Sequence, residues 1–518
     1  MEISSTPALL KPKQPPLLPV SLGLMIGGFF VTFGVVMPLA RGGSLHFLDL
    51  VFWVIPLPFL LLPLLKPKWA VASLVALIFW MPGPIDHFWD VRASFYETAD
   101  KMRVLSLLDW AFLLALFLPA KNRPKLRQLD VLILIFLFLL SGLSIFSVLS
   151  HTLTLDPGRI PALLTGLTFL RLLLVFLVIS KFVHKPEDIQ RVYIGLLVGL
   201  IGLLANTSVM YLRGGSTGGR LVAGTFGNNI FGVLLSIMII FAGDYKGVVK
   251  KPWLKMFLTG LQLVCLVLMI LSGTRMAIAV LGLSWAIQYF MRHKNPIRFL
   301  TQVSVFVLVF VLAVGILVRF SSSLNIGTDR VASLINIATG QASRAEYEYT
   351  FRTWAVRTVI WQYAWERLAL QPWLGIGPGQ WNYERTFSTS PHVVTPNGVY
   401  DSISDPHNGY VHIGLEYGLP ALVIYGLFLI FTLWKGWHSL KRLRRLNYQN
   451  ENPQIKPLFI LFGGIFTAII IILLGEITNA YITKIHLQLF LGSLLFTLLR
   501  ADAVLKNATL PAETAPHA

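Results

Sequence analysis

Apolar runs of about 17 to 23 residues recur along nearly the whole chain, broken by short polar stretches. A helix rises about 1.5 Å per residue, so roughly 20 such residues cross a hydrocarbon layer about 30 Å thick. Inside that layer no water pairs with the backbone, so a spanning segment is either a helix or part of a closed barrel. The runs lack the alternation, about ten residues long, of barrel strands. The expected fold is therefore all-α: a polytopic helical membrane bundle. A 55% apolar composition and a mean hydropathy of +0.69 are far above those of a soluble domain.

Windows of about 19 residues place about fourteen spans, within a range of twelve to fourteen. They are 18 to 40, 45 to 65, 69 to 82, 104 to 120, 129 to 149, 162 to 180, 192 to 211, 222 to 242, 254 to 272, 275 to 290, 299 to 319, 410 to 434, 457 to 475 and 483 to 499. The chain then divides into an N-terminal tail (1–17), a bundle of about eleven spans (18–319), a large loop domain (320–409), about three C-terminal spans (410–499) and a tail (500–518). Lys11 and Lys13 precede an apolar stretch too long for a signal-peptide core, which is expected to be a retained first span. Cys265 is the only cysteine, so no intrachain disulfide and no cysteine metal cluster is expected.

The net charge of +19 is a topology signal and no sign of a nucleic-acid partner. With the N-terminus inside, the cytoplasmic side carries 26 Lys and Arg against 8 Asp and Glu, the outer side carries 16 against 16, and Arg171 falls well inside a span. That asymmetry is the positive-inside pattern. It implies a plasma-membrane protein with both termini cytoplasmic, and basic clusters such as Lys441, Arg442, Arg444 and Arg445 are expected to lie against membrane lipids.

The longest interruption runs from about Phe320 to Tyr410, and the charge pattern puts it outside. Within it, Trp354, Trp361, Trp365 and Leu368 are spaced as one stripe of an amphipathic helix over Arg344 to Leu370. These tryptophans are expected to pack on the bundle or lie at the headgroup level, with sugar stacking as the other reading. Gly375, Gly377 and Gly379 resemble a phosphate loop, but they follow a helix and no dinucleotide fold surrounds them; a sharp turn is expected.

Three segments at the outer mouth carry chemistry. The first runs from Gly219 and Arg220 through Gly224 and Phe226 to Asn228 and Asn229; the second is the hairpin Ser272–Gly273–Thr274–Arg275. Two arginines at helix ends on one face could clamp a diphosphate by bidentate hydrogen bonds, or each could snorkel to lipid phosphates. In the third segment His407 and Asn408 open a span and Glu416 follows nine residues on, about 13 Å deeper on a continuous helix. A histidine at such a mouth can accept a proton near neutral pH, or be an ordinary loop residue. His412 is expected to face elsewhere.

On these residues, together with Arg357, Trp361, Pro372, Gly375, Gly377 and Gly418, the chain resembles the O-antigen ligase and polymerase superfamily of bacterial membrane proteins. The resemblance covers roughly 219 to 434, with departures: Asn228, Asn229 and Ile230 stand where the family usually has Asn-Pro-Asn, and Thr274, Arg275 and Met276 where it commonly has Ser-Arg-Gly. It implies a C-type glycosyltransferase without metal or cofactor, which moves a glycan from undecaprenyl diphosphate to an acceptor hydroxyl with inversion. The acceptor would be lipid A core, a growing glycan or a protein. The matching residues imply Arg220, Arg275 and His407 as catalytic, and Arg357, Trp361, Asn408 and Glu416 as substrate-binding. A polytopic transporter is the alternative, although such proteins usually keep ionisable groups near mid-membrane. A purely structural assembly protein would leave His407 and the arginines unexplained.

Overall fold

The computed structural model describes residues 56–80, 90–91, 102–103, 107–119, 127–153, 166, 168–212, 228–272, 274–292, 301, 304, 340–341, 343–381, 393–395, 398–400, 406–449, 455–478 and 485–509. The expected span at 18–40, all of 299–319 but residues 301 and 304, the first part of 45–65, and Arg220 with its glycine segment lie outside these residues. In chain order the helices are α1 (Pro56–Leu65), α2 (Ala70–Trp80), α3 (Leu107–Ala115), α4 (Gln128–Thr152), α5 (Thr168–Phe182), α6 (Pro186–Leu212), α7 (Asn228–Val248), α8 (Pro252–Leu271) and α9 (Arg275–Arg292). After these come α10 (Arg344–Leu370), α11 (Gly409–Gln449), α12 (Ile455–Glu476), α13 (Ile485–Leu499) and α14 (Ala501–Thr509). Two short antiparallel pairings interrupt the helices, at 90–91 with 102–103 and at 393–395 with 398–400.

Among the described residues, seven helices are long and apolar enough to cross a membrane, and two shorter apolar helices accompany them. Their burial separates lipid-facing from central helices. On α4 the buried stripe Ile133, Leu137, Leu140, Ser144, Ser147 and His151 follows helical spacing, whereas Ile135, Phe138, Phe146 and Leu149 are exposed on other faces. α12 is buried on nearly all sides, as an interior helix of a membrane bundle must be. α2 and α6 approach closely through small residues: a side chain at Gly195 would collide with the Ala72 backbone, and the Trp80 indole donates to the Val198 carbonyl at 2.7 Å.

Polar contacts between helices order their ends. Asp244, near the end of α7, pairs with Arg292 and accepts a hydrogen bond from Gln288 at 3.1 Å, both near the end of α9, and it abuts Gly464 in the first half of α12. The starts of α7 and α9 therefore lie at the end of the bundle where α12 finishes, at Glu476. Tyr410 brings α11 to that same end by donating to the Leu473 carbonyl at 2.9 Å. A second polar cluster ties other helices together: Arg500 donates to Asp130 at 2.9 Å and to the carbonyls of Ser180 and Val183 at 3.0 and 3.2 Å. Burial, and then the Arg500 guanidinium, hold the His184 imidazole between α5 and α6 below the usual histidine range. Arg500 can only donate, so Nδ1 of His184 accepts at 3.2 Å and Nε2–H donates to the Lys181 carbonyl at 3.1 Å. The tail drawn from residue 500 thus begins as a packed helix.

The sequence left Arg171 without a partner inside its span. The structure supplies Asp109 of α3 at 3.0 Å and Gln488 of α13 at 3.2 Å, all buried. The helix expected over Arg344 to Leu370 is present as α10, and of its expected stripe Leu368 is buried and Trp361 packs against the inward cluster. Ile360, Ala364 and Leu368 face inward, whereas Trp365 is 49% exposed.

Candidate active site

At the end of the bundle marked by Glu476, a local rearrangement of backbone builds a mouth. α11 breaks at Gly418, which adopts φ 85° and ψ 170°, two residues before Pro420. Proline has no N–H and its ring collides with the carbonyl four residues earlier, so Glu416 cannot complete a regular turn. The break also separates the Leu415 carbonyl from the Leu419 N–H, its ordinary helical partner. Both groups find replacements in the turn after α10: the Ile376 N–H donates to the Leu415 carbonyl at 2.8 Å, and the Leu419 N–H donates to the Pro372 carbonyl at 2.8 Å. Gly375, Gly377 and Gly379 take φ of 66°, 97° and 72°, so the three glycines form the expected sharp turn. Only glycine fits at two points of this junction, because a Cβ on Gly375 would strike the Leu415 carbonyl and one on Gly418 the Trp373 carbonyl.

The turn is held from a second side by the end of α4. Ser147 donates to the Leu374 carbonyl at 3.1 Å, and Nε2 of His151 lies 3.1 Å from the Gly375 carbonyl. A satellite apolar cluster of Ile360, Ala364, Leu368, Ile376, Trp381, Val411 and Leu415 then fixes α10 and the turn onto the first turns of α11.

His407 stands at the rim of this junction. Its φ of 51° is a left-handed conformation, costing a non-glycine residue roughly 1–2 kcal/mol. Neighbours on both sides keep it there. The Trp361 indole donates to the Pro406 carbonyl at 2.8 Å, and the Asn408 side-chain oxygen caps α11 by accepting from the N–H groups of Tyr410 and Val411 at 3.0 and 3.1 Å. Trp361 and Asn408, expected to bind substrate, are therefore also the groups that set the position of His407. Arg357 lies one turn before Trp361 on α10, on the same face.

Glu416 is 2% exposed, and its Oε2 lies 3.1 Å from Nε2 of His412, one turn earlier. Its other oxygen, Oε1, has no hydrogen-bond partner among the described residues. His412 thus pairs with Glu416 within the first turns of α11.

Arg275 opens α9. The segment before it is tied by the Ser272 hydroxyl, which donates to the Met269 carbonyl at 2.7 Å and lies 3.1 Å from Thr274 Oγ1. Thr274 packs on Gly232, one turn into α7, so Arg275 begins its helix beside the helix that follows the Arg220 segment. Sequence reasoning missed Glu476, Tyr410 and Tyr425, which gather behind the start of α11. An acidic residue ending an apolar run reads as an ordinary interfacial charge, and a tyrosine at a span end as an anchor. His151 left a fainter trace: it continues the 3-and-4 spacing of Ser144 and Ser147.

Residues 260–426 match the family model described as O-antigen ligase, which supports the resemblance to the O-antigen ligase and polymerase superfamily. The match points to a membrane glycan ligase or polymerase with a lipid-linked glycan and an acceptor as partners. It spans the Ser272–Arg275 hairpin, α10, the glycine turn and the break in α11, and leaves Arg220 outside. No curated protein matches the chain.

Proposed function

We propose that the chain joins a glycan carried on undecaprenyl diphosphate to an acceptor hydroxyl, at a mouth facing the periplasm or exterior of a bacterial plasma membrane. His407 takes the proton of the acceptor hydroxyl. The freed oxygen attacks the anomeric carbon from the face opposite the phosphate, the bond from that carbon to the phosphate oxygen breaks, and configuration inverts. Polyprenyl diphosphate leaves with the electron pair. Arg275, with Arg220, meets the charge that develops on the departing diphosphate, a role worth about a hundredfold to a thousandfold in rate per preorganised donor. A guanidinium fork suits a diphosphate better than an ammonium group does. These two cations supply the neutralisation directly, so the proposed step needs no metal. Arg357, Trp361, Asn408 and Glu416 orient the glycan and the acceptor.

The observation that carries this reading is the built position of His407. Trp361 and the Asn408 cap hold it in a left-handed conformation at the end of the bundle where Arg275 opens α9. The reading is tested with the full-length protein in lipid nanodiscs, given a radiolabelled polyprenyl-diphosphate oligosaccharide and, in turn, lipid A core, a glycan-bearing polyprenyl lipid and an acceptor protein. Label should move onto one of the three with release of polyprenyl diphosphate. No product with any of them, together with protein-dependent solute passage in liposomes, would favour the transporter.

A further inference from the structure

Glu476 is the last residue of α12 and is 1% exposed. Its carboxylate rests against the backbone of Gly409, the first residue of α11: a Cβ on Gly409 would overlap Oε2 and lie 2.7 Å from Cδ. The same carboxylate is close enough for its charge to act on the hydroxyls of Tyr410 and Tyr425. Tyr410 itself donates to the Leu473 carbonyl at 2.9 Å, one turn before Glu476. Tyr425 is fully enclosed, with no hydrogen-bond partner for its hydroxyl among the described residues. Glu476 therefore faces α11 on both sides of the break, at Gly409 and Tyr410 before it and at Tyr425 after it.

A carboxylate enclosed between membrane helices is expensive, and one that serves packing alone is better replaced by an apolar side chain. Its surroundings suit a negative charge: it sits at the start of a helix, where the peptide dipoles present their positive end. Asn408 caps that helix, and His407 precedes the cap. From this arrangement we infer that Glu476 is a positioning residue for transfer. It fixes the first turn of α11, and its negative charge favours the imidazolium that His407 becomes on taking the acceptor proton. The inference rests on the transferase reading above.

Glutamine keeps the size of Glu476 and removes its charge. Glu476→Gln should lower kcat roughly a hundredfold with little change in KM for the donor; neutralising a carboxylate bonded directly to a catalytic imidazole costs about 10⁴-fold. Glu476→Asp should recover part of the rate. Gly409→Ala should push the carboxylate aside and reproduce the loss. The double variant Gly409→Ala with Glu476→Ala separates charge from packing, since it removes the collision and the charge together. It should stay as slow as Glu476→Ala, whereas recovery of the native rate would reduce Glu476 to a space-filler. Native kcat in Glu476→Gln would overturn the inference while wild-type transfer stands. Absence of transfer by the wild-type protein would instead defeat the transferase reading itself.

Discussion

Arg171 puts a permanent charge into an apolar span, and a neighbouring carboxylate rather than solvent makes that tolerable. The guanidinium Nε lies 3.0 Å from both oxygens of Asp109, and Nη1 donates to Gln488, whose amide in turn donates to Thr168 at 3.3 Å. Three helices, α3, α5 and α13, are tied at one buried point. A buried pair contributes little net stability relative to an apolar pair of similar size, but removing one partner strands the other charge. Arg171→Met should therefore destabilise the protein by about 3–5 kcal/mol, while Arg171→Met combined with Asp109→Leu should restore most of that. Thermal unfolding in a single detergent checks this. Equal loss in the single and double variants would contradict the pairing.

At the scale of elements, the broken helix and the glycine turn are one construction, because each supplies the hydrogen bonds the other lacks. Gly418 adopts a backbone region essentially closed to other residues, and a Cβ there meets the Trp373 carbonyl. Gly418→Ala should cost about 2 kcal/mol or more, whereas Pro420→Ala should cost under about 1 kcal/mol, since the turn already pairs the groups the break exposes. Comparable unfolding temperatures for the two variants would contradict this. Much of the architecture was legible in the sequence. Long apolar runs placed α4, α8, α9 and α12 to within a few residues, and Gly375, Gly377 and Gly379 announced a turn because no strand preceded them. Hydropathy carries no record of a partner across space, so neither the docking of that turn on α11 nor the pairing of Arg171 with Asp109 was visible. The tryptophan stripe on α10 marked the helix but not its full orientation, for a related reason. Tryptophan is at home in a core or at a headgroup boundary, so Trp365 signalled apolar surface without saying which face was inward.

Across the whole molecule, the sequence predicts a sidedness that the site requires: mouth outside, basic clusters inside. After its break at Gly418, α11 still runs 31 residues, 419–449, about 46 Å, and so extends well beyond a hydrocarbon layer of about 30 Å. Its far end carries Lys441 over the Trp437 ring at 5.3 Å and Arg444 over the Tyr448 ring at 5.8 Å, a basic and aromatic face suited to anionic headgroups. Lys441 is exposed and can report on this side. In a Cys265→Ser background, Ala369→Cys should react with an impermeant thiol reagent on intact spheroplasts and Lys441→Cys only after lysis; the reverse order would put the mouth in the cytoplasm. The most direct test of the central claim is single-turnover transfer by His407→Gln from a labelled polyprenyl-diphosphate glycan, with donor binding measured separately and the exposed His438→Ala as control. Glutamine can hydrogen-bond but cannot accept a proton at working pH, so transfer should fall about a hundredfold to ten-thousandfold while donor binding survives. Transfer by His407→Gln at the native rate would contradict the account.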